Sequence, residues 1–331
     1  MSSLAAVAAV LRGLQPALAA LLLAVLAACG DGPTVPDPPG PVIACPADIQ
    51  TLAHNGARTT VVSFDRPVAQ GGTAPVTVVC APDSGSSFPV GSNPVTCTAL
   101  DSQRRASFCS FRVIVAAVPR LTELEFLAFG DSLTEGKISP DPTTLLLNFP
   151  ESYPNKLQGL LTARYIDQNP TVIPEGLGGE LLATQGRKRF PTVLDKHRPD
   201  VVLLLHGAND LLAAGNEGDP FDAINVIIDA LDDLIELAHR RRIPVMVATF
   251  PPQNVAGSRG AGAPAVPTLN REIARLARSE GAVLVDLFNG LGGTPTGWIG
   301  VDGLHPTAAG YTRIAEIWFE AIEQEYEQTA D

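Results

Sequence analysis

The chain has no cysteine after residue 109, no Cys-x-x-Cys pair, and no basic run longer than the "HRRR" at 239–242. Each gap excludes something. Phosphate recognition needs clustered Lys and Arg, so nucleic acid is not the expected partner of a chain with net charge −12. The same balance argues against electrostatic attachment to anionic lipid headgroups. The cysteines at 45, 80, 97 and 109 are widely spaced, with only His54 nearby, so no metal centre is expected. An even set confined to one segment of an exported chain reads as two disulfides. Cys45, Cys80, Cys97 and Cys109 allow three pairings, and side-chain alternation does not choose among them.

The chain is otherwise well supplied for folding. Its 331 residues suit two domains, and 45% hydrophobic against 18% charged residues gives enough material for a sizeable core. The first residues are a different substance. One basic residue, Arg12, precedes an apolar stretch from Pro16 to Ala28, closed by small residues in the manner of an export signal. It is too short and alanine-rich for a membrane span. The ending "LAAC" resembles the bacterial lipobox, which implies cleavage before Cys29 and its lipidation, hence a 1–28 signal peptide and a lipid anchor in the cell envelope. The "GDGPTVPDPPGP" behind it is rich in Pro and Gly, and 29–41 reads as an extended tether.

Residues 42–117 read as strands separated by turns: "TTVVSF", "PVTVVC", "NPVTCTAL" and "SFCSFRVIV". Val95, Cys97 and Ala99, then Cys109, Phe111, Val113 and Val115, alternate as inward candidates, and Val76, Val78 and Cys80 keep the period. All four cysteines are therefore expected in one small sandwich core. The stretches "CPADI", "VSFDRPVA", "VVCAPDSGSSFPVGSNPVTCTALDS" and "CSFRVIV" resemble a hyalin repeat (HYR) domain, with "QRRA" where that family has an asparagine-containing turn. The resemblance implies an immunoglobulin-like spacer or adhesion module touching a glycan or protein, with no catalytic residues.

From Leu124 onward, apolar strand candidates alternate with helical ones. "VVLLLH" and "VMVATF" are continuous runs, as for parallel strands covered on both faces. Ile224, Ile227, Ile228, Leu231, Leu234 and Ile235 form a stripe at helical spacing. The expectation is an α/β fold with a parallel sheet of about five strands and function past their carboxyl ends. Polar signals fall there: Ser132 after "LEFLAFG", the glycines of "EGLGGE", Asn209 in "HGANDL", and Asp302 and His305 in "DGLHP". Pro306 suits the first turn of the last helix, and a helix is expected to start after Ser132.

These four blocks in this order, "GDSLTEG", "GLGGE", "GAND" and "DGLHP", resemble the SGNH subgroup of the GDSL esterases and lipases, over about 122–327. Gly178 stands where many members have serine. The resemblance implies a three-layer, flavodoxin-like hydrolase domain over 122–331, acting on carboxylic esters without a cofactor. A serine hydroxyl is a poor nucleophile until a base takes its proton; His305 is the candidate base and Asp302 the carboxylate that orients it. The amides of Ser132 and Gly179 and the side chain of Asn209 are the candidate oxyanion donors. His206, which ends a strand, reads as structural rather than as a rival base. The segment 251–268 is expected to cover the site as a mobile loop, and Leu145–Leu147 in 137–153 to offer an acyl-contacting wall. A membrane-tethered esterase is the first reading, an adhesion or glycan-binding lipoprotein with a weak hydrolase domain the second.

Overall fold

The computed structural model describes residues 38–328, so the signal segment, Cys29 and most of the tether lie outside the described residues. Among the described residues no helix is long and apolar enough to cross a membrane.

The amino-terminal region is all-β. A four-stranded sheet orders Ile49–Ala53, Ala106–Ala117, Gly91–Leu100 and Thr77–Ala81, and Thr59–Val62 pairs with Ser86–Pro89. The alternation holds: Val95, Cys97, Ala99, Phe111, Val113 and Val115 are all buried. Cys80 and Cys97 are register partners on adjacent antiparallel strands, and they are bonded to each other. Cys45 bonds Cys109. That second bridge differs from expectation, because both of its cysteines are only half-buried, Cys109 near the start of its strand and Cys45 outside any strand. The "DSQRRA" turn is tied together by the Asp101 carboxylate, which accepts from the amides of Gln103 and Arg105 and from the Arg105 guanidinium.

The larger region is built on five parallel strands: β1 (Glu125–Gly130), β2 (Thr171–Gly176), β3 (Val201–Leu205), β4 (Val245–Ala248) and β5 (Val283–Val285). Their order is β2-β1-β3-β4-β5, so the chain steps one way from β1 to β2 and then crosses back to β3. Ligands of doubly wound sheets bind at such a switch point. The central strands carry the apolar runs that require cover on both faces, and every residue of β3 and β4 is buried.

Helices supply that cover. Helix α1 (Tyr153–Arg164) packs against the last long helix, α6 (Ala308–Tyr326), where the Tyr153 and Trp318 rings stack 6.0 Å apart. Helix α4 (Ala223–Arg240) packs against α2 (Arg187–His197), α3 (Ala208–Glu217) and α5 (Val266–Glu280). Its stripe is buried at Ile224, Ile227, Leu231, Leu234 and Ile235, with Ile228 half-buried at the margin. Each such side chain contributes about 1.5–3 kcal/mol by leaving water.

Two local expectations change. After Ser132 there is a single turn, Ser132–Glu135, closed by Gly136 in the left-handed conformation at φ 93°. A helix dipole at the serine is correspondingly small, since it needs several aligned peptides. The chain then pairs Lys137–Ile138 with Leu146–Leu147, leaving both leucines exposed. Pro306 lies before the cap of α6 rather than in its first turn. Thr307 is the cap, and its hydroxyl accepts from the Gly310 amide at 3.0 Å.

Candidate active site

Ser132 opens the single turn Ser132–Glu135, two residues past the end of β1. Gly130 permits this turn: a methyl there would overlap the Leu205 carbonyl and the Thr134 hydroxyl. The Asp131 carboxylate caps the turn by accepting from the Leu133 amide at 3.1 Å. Its other oxygen accepts from the amides of Gly207 and Ala208, at 3.2 and 3.0 Å, where α3 begins. One buried carboxylate therefore fastens the ends of β1 and β3. Burial opposes its charge, but His206 and these amides outweigh that and hold its pKa below the usual range.

His305 reaches Ser132 from the far end of the chain. Its Nε2 lies 2.9 Å from Ser132 Oγ, and its Nδ1 lies 2.6 Å from Asp302 Oδ2. Asp302 Oδ1 also accepts from the amides of Leu304 and His305, both at 3.0 Å, which folds the three-residue step back on itself. Ser132, Asp302 and His305 are all at most 3% exposed. Burial works against ionisation of Asp302, yet its hydrogen bonds from His305 and Leu304 lower its pKa overall. Ser132, His305 and Asp302 lie on one continuous hydrogen-bonded line.

The segment expected as a mobile cover is instead fastened to that line. Asn254 donates its amide to the Gly303 carbonyl at 2.8 Å, and Arg259 donates its amide to the Asp302 carbonyl at 2.7 Å. The Arg259 guanidinium stands 3.6 Å from Asp302 Oδ2. The sequence reading missed this cation, whose only signal was a lone basic residue in a Gly-rich stretch.

Gly179 follows β2 at φ +81°, with open space where a side chain would be. Asn209 lies in the first turn of α3, and its Nδ2 donates to the Glu180 carbonyl at 3.0 Å, leaving its second hydrogen for a ligand. The amides of Ser132 and Gly179 meet no acceptor among the described residues. The rest of the second block is held by charge. Glu180 receives both Nε and Nη2 of Arg189, at 2.8 and 2.6 Å, and His206 Nε2 at 2.9 Å. Arg189 also donates to the Gly130 and Glu175 carbonyls. This network was not read from the sequence. Three carboxylates elsewhere, Asp232, Glu236 and Glu280, approach within 4.8 Å of one another, and none belongs to the serine line.

Residues 128–313, over half of the chain, match the GDSL-like Lipase/Acylhydrolase family. The chain belongs to that family. It is a carboxylic ester hydrolase of the GDSL type, and residues 36–115 match the HYR domain. Among solved structures this GDSL hydrolase is similar to the lipase/acylhydrolase from Enterococcus faecalis, at 19% identity and TM-score 0.51 over 61% of this chain and 97% of that one. It is similar also to Axe2, an acetylxylan esterase from Geobacillus stearothermophilus, at 18% identity and TM-score 0.50 over 61% and 94%. At these identities the likeness shows the fold. No curated protein sequence matches the chain.

Proposed function

We propose that the protein is a serine esterase, anchored to a membrane through lipidated Cys29 and facing outside the cytoplasm, that cleaves short acyl esters, acetyl esters among them, carried on lipid or glycan. The observation that carries the chemistry is the line Ser132–His305–Asp302, at 2.9 and 2.6 Å.

His305 Nε2 takes the Ser132 proton as Oγ attacks the ester carbonyl carbon. Asp302 keeps the proton on Nδ1, so Nε2 is the free base, and it stabilises the imidazolium that forms. The tetrahedral oxyanion is met by the Ser132 and Gly179 amides and by Asn209 Nδ2, each donor worth about 3 kcal/mol of barrier. Collapse expels the alcohol, which receives the proton from His305. Water then repeats the sequence on the acyl-serine, with His305 as base, and releases the acid. The Arg259 guanidinium stands on the outer side of Asp302, 3.6 Å from Oδ2. No step calls for a metal or cofactor.

The HYR match supports adhesion-type contacts for the amino-terminal region, which on this reading spaces the hydrolase from the membrane and meets the surrounding glycan or protein. p-Nitrophenyl acetate hydrolysis tests the reading. Ser132→Ala is expected to lose at least ~10³-fold in kcat, and equal rates for the two proteins would remove Ser132 as nucleophile. Anchoring is tested by Cys29→Ser, which should free the protein from membranes; retention there would refute the lipidated cysteine.

A further inference from the structure

We propose that His206 is a positioning residue for the oxyanion donors, a buried imidazolium that holds the Asp131 and Glu180 carboxylates in the places from which they fix Ser132, Gly179 and Asn209. The inference rests on the esterase reading for its kinetic consequence, but not for the charge itself.

The geometry around the ring decides its state. His206 is 1% exposed, with Nε2 at 2.9 Å from Glu180 Oε2 and Nδ1 at 3.6 Å from Asp131 Oδ2. Nδ1 has no hydrogen-bond partner among the described residues. A neutral ring protonated on Nδ1 would turn its Nε2 lone pair on the Glu180 oxygen, and one protonated on Nε2 would leave a bare Nδ1 lone pair buried towards Asp131; the imidazolium donates to Glu180 and faces Asp131 with a positive N–H beyond hydrogen-bond reach. The neighbouring elements agree. Asp210 on α3 also faces the ring's charge, although burial raises its own pKa, and Arg189 on α2 is engaged with Glu180. The Phe129 ring closes another side, its centroid 5.6 Å away. At Gly186 a methyl would press on Nε2. Burial works against the charge, but the two carboxylates outweigh it and raise the pKa of His206 above its ordinary value.

What the two carboxylates hold is the catalytic frame. Asp131 accepts from the amide of Leu133, beside Ser132, and from the two amides that begin the Asn209 helix. Glu180 adjoins Gly179, and its carbonyl receives the Asn209 amide. Arg189 also compensates Glu180, so Asp131 is the group most dependent on His206 for a counter-charge.

The test compares the full-length wild type with His206→Gln, which keeps a donor for Glu180 and loses the charge. Active sites are counted with a fluorophosphonate, so kcat is expressed per competent serine and misfolded protein does not contribute. The expected result is about a tenfold fall in kcat per site with KM within about twofold, since the loss falls on transition-state stabilisation. An unchanged kcat per site would overturn the proposal, leaving His206 a packing residue. Should the variant not fold, 15N NMR of histidine-labelled wild type decides: protons on both His206 nitrogens at pH 7 support the inference, and a neutral ring overturns it. If the wild type hydrolysed no ester, the esterase reading would fall while the NMR result would still stand on its own.

Discussion

Replacing Asp302 by Asn separates the electrostatic part of the catalytic line from its architecture. Asp302 Oδ1 accepts two backbone amides, at 3.0 Å each, and an asparagine oxygen can accept both. The turn should therefore survive, with its bonds to Asn254 and Arg259 through backbone groups. The loss falls at Oδ2, which receives His305 Nδ1 at 2.6 Å. There the variant presents an NH₂ group, a donor. The imidazole must then carry its proton on Nε2, facing Ser132, and can no longer accept the hydroxyl proton. It also loses the negative charge that compensates the imidazolium. An equivalent change in other serine hydrolases costs about 10⁴-fold in kcat, so Asp302→Asn is expected to lose about 10³–10⁴-fold. The assay is p-nitrophenyl acetate turnover at neutral pH with a parallel thermal melt. A folded Asp302→Asn protein within tenfold of wild-type kcat would refute the assigned role of the carboxylate.

Other consequences follow from the same contacts. Arg259→Gln removes a cation 3.6 Å from the Asp302 carboxylate but keeps the backbone amide that holds the Asp302 carbonyl, so kcat on p-nitrophenyl acetate should fall far less than in Asp302→Asn, and an equal loss would contradict this division of roles. Gly130→Ala drives a methyl into the Leu205 carbonyl and the Thr134 side chain, so a loss of at least about 3 kcal/mol in unfolding free energy is expected by chemical denaturation, and a near-neutral effect would refute the close approach. The buried charges predict a stability plateau. Glu180 has its folded pKa lowered to about 2 from 4.5 (burial opposes this; His206 and Arg189 outweigh it), so its contribution is complete above 4.5 and disappears as pH falls towards 2. That of His206, whose pKa is raised, is complete below 6.5 and disappears as pH climbs through the folded value. Thermal midpoints should fall on both sides of the plateau, with the acid side flattened in Glu180→Gln; an unaltered acid side in that variant would count against the network.

How far the sequence could be read depends on whether a feature has a local signature. The central strands β3 and β4 were legible because each is a continuous apolar run with β-branched residues, and α4 because its stripe repeats at helical spacing. Parallel topology puts the carboxyl ends of β1 and β3 on one edge, which brings Ser132 and Asn209 together, whereas the Asp302–His305 step precedes the last helix and topology alone does not bring it there. Asp302 and His305 are three residues apart, within reach of a single turn. Features made by distant groups were not legible. Glu180, Arg189 and His206 come from three elements with no common period, and only the fold brings them together. The Cys80–Cys97 bridge depends on antiparallel register, which alternation alone leaves open. The expected helix after Ser132 was a misreading of chemistry present in plain view: Gly136 takes a left-handed conformation, which stops the helix after one turn. Arg259 escaped notice because a solitary arginine in a Gly-rich loop looks like a solvated charge until the loop is fastened to Asp302.

Covalent trapping tests the central claim most directly. The purified protein is treated with a fluorophosphonate, digested and examined by mass spectrometry, beside Ser132→Ala and His305→Ala. Activation of Ser132 by His305 predicts a single adduct on the peptide containing Ser132, none in Ser132→Ala, and labelling slowed by orders of magnitude in His305→Ala. An adduct on another serine, or equally fast labelling without His305, would contradict it.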